Sequence, residues 1–105
     1  MSTQTGSTVV INVFTPKAGA LDDFLAVQIA ALPGLRAGTV GARGSRLFRA
    51  QDNSKAVMVS VFDTPEAFRR FSESEQFAAH RTKITPFLER AEPGRYELVY
   101  QAGEL

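Results

Sequence analysis

Two residues stand out for chemistry in this 105-residue sequence. Asn12 interrupts an apolar run over residues 9–14 whose other members are Val, Ile and Phe. A carboxamide there could orient a ligand oxygen. It could equally bond a neighbouring backbone group, since buried polar groups normally find a partner. His80 is the only histidine. It follows Phe77 by three residues and precedes Ile84 by four, so one helical stripe carries all three. An imidazole at that place suits proton removal from a ligand near neutral pH. It could also ligate haem iron, or be a hydrogen-bonded core residue. Phe14, Phe24, Phe68, Phe71 and Phe77 are candidates to line a pocket for a flat aromatic ligand, with Tyr96 and Tyr100 adding aromatic surface. The same rings serve equally well as plain core.

Other chemistries find little support. There is no cysteine, which excludes disulfides, thiolate metal sites and Cys nucleophiles. One histidine and scattered carboxylates make no metal site. No glycine loop of the phosphate-binding kind precedes a helix. Formal net charge is +1, and the Lys and Arg residues are spread along the chain. Nucleic acid is therefore not expected as a partner. Arg43, Arg46 and Arg49 cluster about a glycine-rich segment. One of them could pair with an anionic substrate, but charges on a strand edge also discourage aggregation. No apolar run is long enough to span a bilayer. Residues 1–8 are rich in Ser, Thr and Gly and read as a frayed tail rather than a signal peptide. A cytoplasmic location is the expectation, with residues 9–105 as one domain.

The elements that must position Asn12 and His80 follow from spacing. Residues 9–14 are β-branched and aromatic, which favours a strand. Leu21, Phe24, Leu25, Ile29 and Leu32 recur at helical spacing, with Asp22, Asp23 and Gln28 off that stripe. Pro33-Gly34 is expected to close this helix. Residues 38–44 read as a bulged or bent strand start, leading to a strand over 45–50. A turn cluster at Asp52-Asn53-Ser54 joins it to a second apolar strand over 55–62, making a hairpin. Thr64 is a good N-cap, with Pro65 at the first helical position. Ser74 is the expected N-cap of a third helix carrying Phe77, His80, Ile84 and Phe87, broken near Thr85 by Pro86. Pro93-Gly94 reads as a turn, and residues 96–101 as the last strand. The order β-α-β-β-α-β, with the second α in two pieces, is the ferredoxin-like arrangement of the α+β class. It has a four-stranded antiparallel sheet and its helices on one face.

Alternate residues of a strand face opposite sides. Val9, Ile11 and Val13 share one side; Val10, Asn12 and Phe14 share the other. Val57, Val59 and Val61 oppose Ala56, Met58, Ser60 and Phe62 in the same way. Both sheet faces are thus largely apolar, yet helices can cover only one. Each valine left in water forfeits roughly 1.5 kcal/mol or more. A second copy packed sheet to sheet is the simplest remedy, so a homodimer is expected.

The segments VVINVFTPKAG, DTPEAFRRFSESEQFAAHR and YELVY, spread from Val9 to Tyr100, resemble the antibiotic biosynthesis monooxygenase (ABM) family. The most specific part is SEQFAAHR at residues 74–81, which fits a serine-acid-x-Phe-x-x-His pattern at the start of a helix. This resemblance implies a dimeric α+β barrel with a pocket between sheet and helices in each subunit. It implies a monooxygenase that needs no metal or flavin and oxidises a small or polycyclic aromatic phenol, with Asn12 and His80 as its catalytic residues. Other relatives bind and degrade haem, using an Asn on the first strand, a Trp and a His. Here Phe71 stands where they carry the Trp, and His80 is displaced by one position. Haem is therefore the alternative cofactor rather than the expected one. A non-catalytic dimeric ligand-binding module is a further alternative.

Overall fold

The computed structural model describes residues 7–104; of the tail expected over residues 1–8, residues 1–6 lie outside them, whereas Thr8 is buried and already in the first strand. Strand β1 (Thr8–Pro16) leads into helix α1 (Leu21–Ala37), followed by the hairpin of β2 (Ala42–Arg49) and β3 (Ala56–Phe62). Helices α2 (Pro65–Ser72) and α3 (Glu75–Ile84), a 3-10 turn (Thr85–Phe87) and β4 (Leu88–Tyr96) complete the chain. The strands form one antiparallel sheet in the order β2-β3-β1-β4. This is the ferredoxin-like α+β arrangement expected from the pattern of elements.

Local chemistry explains most of the boundaries. Thr64 accepts from the Ala67 amide at 3.0 Å, and Ser74 accepts from the Phe77 amide at 3.1 Å. Both side chains thereby satisfy amides that a helix start leaves unpaired. Pro86 ends α3, as expected, and the chain passes through a single 3-10 turn into β4. The β2 ladder shifts register between Ala42 and Gly44, which is the bulge anticipated in the glycine-rich segment. Gly41 is required just before it. Its φ is +92°, and a Cβ there would lie 2.7 Å from the Cβ of Ala67. At the far end of the hairpin, Asp52 accepts from both the amide and the hydroxyl of Ser54.

Two expectations fail at proline. Pro33 does not close α1; the helix runs through it to Ala37. Pro33 and Gly34 lie on the exposed side, while Leu35 beyond them is buried. The last turn is tied down by Thr39, whose hydroxyl donates to the Leu35 carbonyl at 2.8 Å. Burial and capping thus outweigh the one hydrogen bond that Pro33 cannot donate. Likewise, Pro93-Gly94 makes no turn. Both lie inside β4, opposite Asn12 and Ile11. Proline is tolerated because β4 is an edge strand whose outer amides need no partner in the sheet. The last strand accordingly ends at Tyr96, and residues 97–102 carry no regular structure instead of forming a strand.

The helices cover one face of the sheet. Val10, Phe14, Ala56, Met58 and Phe62 are buried there, whereas Val9, Ile11, Val13, Val57, Val59 and Val61 on the opposite face are only partly covered. The helix-side core is divided. Phe14, Leu21, Phe24, Leu25, Ala56, Met58 and Ile84 form one apolar cluster. Val10, Phe62 and Ala67, with Phe68 and Phe71 against them, form a second.

Candidate functional site

Polar groups occupy the interval between those two clusters. On β1, Asn12 lies two residues from Val10 of one cluster and two from Phe14 of the other, so it shares their helix-facing side. Its Oδ1 is buried and accepts no hydrogen bond among the described residues. On α3, His80 lies one turn after Phe77 and one turn before Ile84. Phe77 stacks at 4.8 Å on Phe71, which belongs with the second cluster, while Ile84 belongs to the first. His80 is only 5% exposed.

The imidazole is held from α1. His80 Nε2 lies 2.7 Å from Oε1 of Gln28, itself 4% exposed. The other ring nitrogen, Nδ1, is buried without a partner among the described residues. Burial pushes the imidazole pKa below its ordinary value of 6.5, and the nearby Lys83 ammonium pushes the same way. At neutral pH the ring is therefore uncharged, with one nitrogen protonated and one carrying a lone pair. A third buried polar atom without a partner among the described residues, Thr15 Oγ1, sits at the end of β1 next to its register shift.

Gln28 is the residue that sequence reasoning placed wrongly. It belongs to the buried stripe, and Ile29 does not: Ile29 is 59% exposed. The signal was present in the spacing. Leu21, Gln28 and Leu35 are seven apart, with Phe24, Leu25 and Leu32 between them, which is the regular inward face of a helix. Polarity alone hid the position, because only the partner across the helix pair explains a buried amide.

The aromatic candidates separate into two groups. Phe14 and Phe24 pack as tilted rings with centroids 4.8 Å apart within the first cluster, and Phe24 has no exposed surface. Phe68 and Phe71 lie 5.3 and 5.5 Å from Phe62, and Phe77 continues that chain of rings from Phe71. Phe68, Phe71 and Phe77 retain partial exposure, and two arginines lie over their faces: Arg95 over Phe68 at 5.9 Å and Arg81 over Phe77 at 5.4 Å. Tyr96 and Tyr100 do not join them. Tyr96 pairs with Val9 and stands on the opposite sheet face, and Tyr100 is 82% exposed.

Two of the clustered arginines, Arg43 and Arg49, have carboxylate partners. Arg49 reaches Asp22 at 3.0 Å, and Arg43 reaches Asp63 at 3.5 Å. An open groove of about 420 Å³ runs beside Lys17, Asp22, Arg49 and Asn53; neither Asn12 nor His80 lines it. Among the described residues no helix is long and apolar enough to cross a membrane. No group of three or more His, Asp or Glu is placed to hold a metal ion among them.

Comparison with solved structures gives the same fold. SnoaB, a cofactor-independent oxygenase from Streptomyces nogalater, superposes with a TM-score of 0.83 at 24% identity, covering 94% of this chain and 99% of that one. Rv0793 from Mycobacterium tuberculosis matches at 0.79 and 19% identity, covering 92% and 99%. A conserved protein from Methanosarcina mazei matches at 0.80 and 11% identity, covering 90% and 95%. At these identities the likeness is one of fold. No curated protein matches the sequence. The sequence model for antibiotic biosynthesis monooxygenases, in contrast, matches residues 7–83, which include β1, α2 and all of α3 except its last residue, Ile84. With that match over most of its length, the chain belongs to the antibiotic biosynthesis monooxygenase family.

Proposed function

We propose that this protein is a cofactor-independent monooxygenase that oxidises a small or polycyclic aromatic phenol between its sheet and its helices. The observation that carries the reading is that Asn12 Oδ1 and His80 Nδ1 are both buried without a hydrogen-bond partner among the described residues. Buried polar atoms without partners are uncommon and tend to mark function. Membership of the family and the fold shared with the oxygenase SnoaB support the same direction.

In this reading Asn12 orients the phenolic oxygen, and His80 takes its proton. The electron-rich phenolate then reacts with O2 at a ring CH carbon. One oxygen atom becomes the second carbonyl of a quinone, and the other leaves as water with the hydrogen of that carbon and the phenolic proton. The substrate supplies the electrons, so no external reductant enters the balance. Phe68, Phe71 and Phe77 provide partly exposed aromatic surface against which a flat substrate can stack.

Haem is the less supported alternative: an axial histidine must offer a ring nitrogen to the iron, and here Nε2 is already engaged by Gln28, while Phe71 stands where haem-degrading relatives carry a Trp. The homodimer belongs to the same proposal. The partly covered valine face, with Phe48 at 49% and Tyr96 at 55% exposure on it, is the surface for a second copy.

Oxygen uptake with a dihydroxyaromatic substrate tests the activity. Asn12→Ala and His80→Ala are expected to reduce it by about a hundredfold or more. Unchanged rates in both variants would overturn the assignment. A haemin titration with no Soret shift is expected; a shift lost in His80→Ala would favour haem instead.

A further inference from the structure

We propose that Gln28 is a positioning residue for His80: its amide oxygen holds the imidazole as the Nε2–H tautomer and leaves Nδ1 as a bare, enclosed acceptor. As a statement about the base, this deepens the monooxygenase reading and rests on it; the tautomer itself does not.

The geometry leaves three states to compare. In the first, Nε2–H donates to Gln28 Oε1 across 2.7 Å, and Nδ1 carries a lone pair. Every N–H of the ring is then satisfied. In the second, the Gln28 amide turns over and donates to an unprotonated Nε2, so Nδ1 must carry the hydrogen. That hydrogen would be a buried donor with nothing to accept it among the described residues. In the third, the ring is protonated at both nitrogens and the same orphaned donor appears, now on a cation. A buried N–H without a partner is rarer and costlier than an acceptor left without one. The first state therefore prevails. Both partners are at least nineteen-twentieths buried, so water offers neither of them an easy substitute.

The consequence is chemical. A general base must present a lone pair, and a histidine that samples both tautomers presents it in two different directions. Gln28 removes that choice from a site 52 residues away in sequence. It does so without charge, in contrast to the carboxylates that often orient a catalytic histidine. A neutral partner leaves the imidazole unprotonated at neutral pH, whereas a carboxylate would stabilise the imidazolium. Gln28 touches no reacting atom in this account; it acts only through His80.

Because His80 is the sole histidine, a long-range proton–nitrogen NMR spectrum of the 15N-labelled protein reports on this ring alone. The wild type is expected to show a protonated Nε2 and a pyridine-type Nδ1. Gln28→Met is expected to give the mixed-tautomer pattern of a free imidazole. It should also lower kcat about tenfold with KM unchanged. Gln28→Glu keeps an acceptor of the same length and should retain the Nε2–H signal while raising the imidazole pKa, because a carboxylate favours the imidazolium. A wild-type spectrum with the proton on Nδ1 overturns the proposal, with no variant needed. So does a Gln28→Met spectrum identical to wild type, since a residue that only fills space would leave the tautomer unmoved. Should the Nε2–H pattern hold while His80→Ala oxidises phenols at the wild-type rate, the positioning stands and the monooxygenase reading falls.

Discussion

His80 Nε2 and Gln28 Oε1 meet at 2.7 Å, joining α3 to α1 through two polar side chains inside an otherwise apolar layer. Such a bond contributes little by its formation and much by what its loss exposes. Gln28→Leu should therefore destabilise the fold by about 1–3 kcal/mol, because the His80 N–H would remain buried without an acceptor. The midpoint of urea denaturation, at unchanged slope, measures it. The double variant Gln28→Leu/His80→Leu should recover part of that loss, since both polar partners are then gone.

Acid should weaken the protein through the same ring. His80 disfavours its proton when folded, first because it is buried and second because of Lys83. The unfolded chain binds that proton with the ordinary value of 6.5. As pH falls through 6.5, the unfolded state takes up more protons than the folded one, and stability declines until the folded ring also titrates. Above about pH 7.5 the effect is absent. Thermal melts from pH 8 to pH 5 should show this decline, and His80→Gln should flatten it.

Gly41 should not accept a side chain. Its φ of +92° and the 2.7 Å approach to Ala67 Cβ both oppose alanine. Gly41→Ala is expected to cost about 1–3 kcal/mol. Gly44 provides the control, since a Cβ there meets nothing within 4 Å. Gly44→Ala should change the unfolding midpoint far less.

The sheet face away from the helices offers a separate test. Ile11→Asp puts a charge among Val9, Val13 and Val59 on that face. Sedimentation should show the particle mass fall by about twofold, because a charge buried at such an interface has no partner. Ile29→Asp, at a position 59% exposed on α1, should leave the mass unchanged.

Local chemistry made much of this protein legible from sequence. Alternation along Val9–Phe14 and Ala56–Phe62 assigned residues to sheet faces, because neighbouring side chains of a strand must point opposite ways. Thr64 and Ser74 marked helix starts, because their hydroxyls answer amides only three residues away. Asn12 and His80 could be picked out as polar interruptions of apolar stripes. None of these readings needed a distant partner.

Tertiary structure decided what depends on distant partners. Pro33 continues α1 because Leu35 is buried beyond it, and Pro93 sits in a strand because β4 is an edge. Both prolines read locally as breaks. Gln28 read locally as a surface residue, although seven-residue spacing from Leu21 and to Leu35 put it on the inward face. Its burial makes sense only once α3 brings His80 within hydrogen-bonding distance. Residue type expresses what a side chain would cost to bury alone, and only the fold supplies the neighbour that removes the cost.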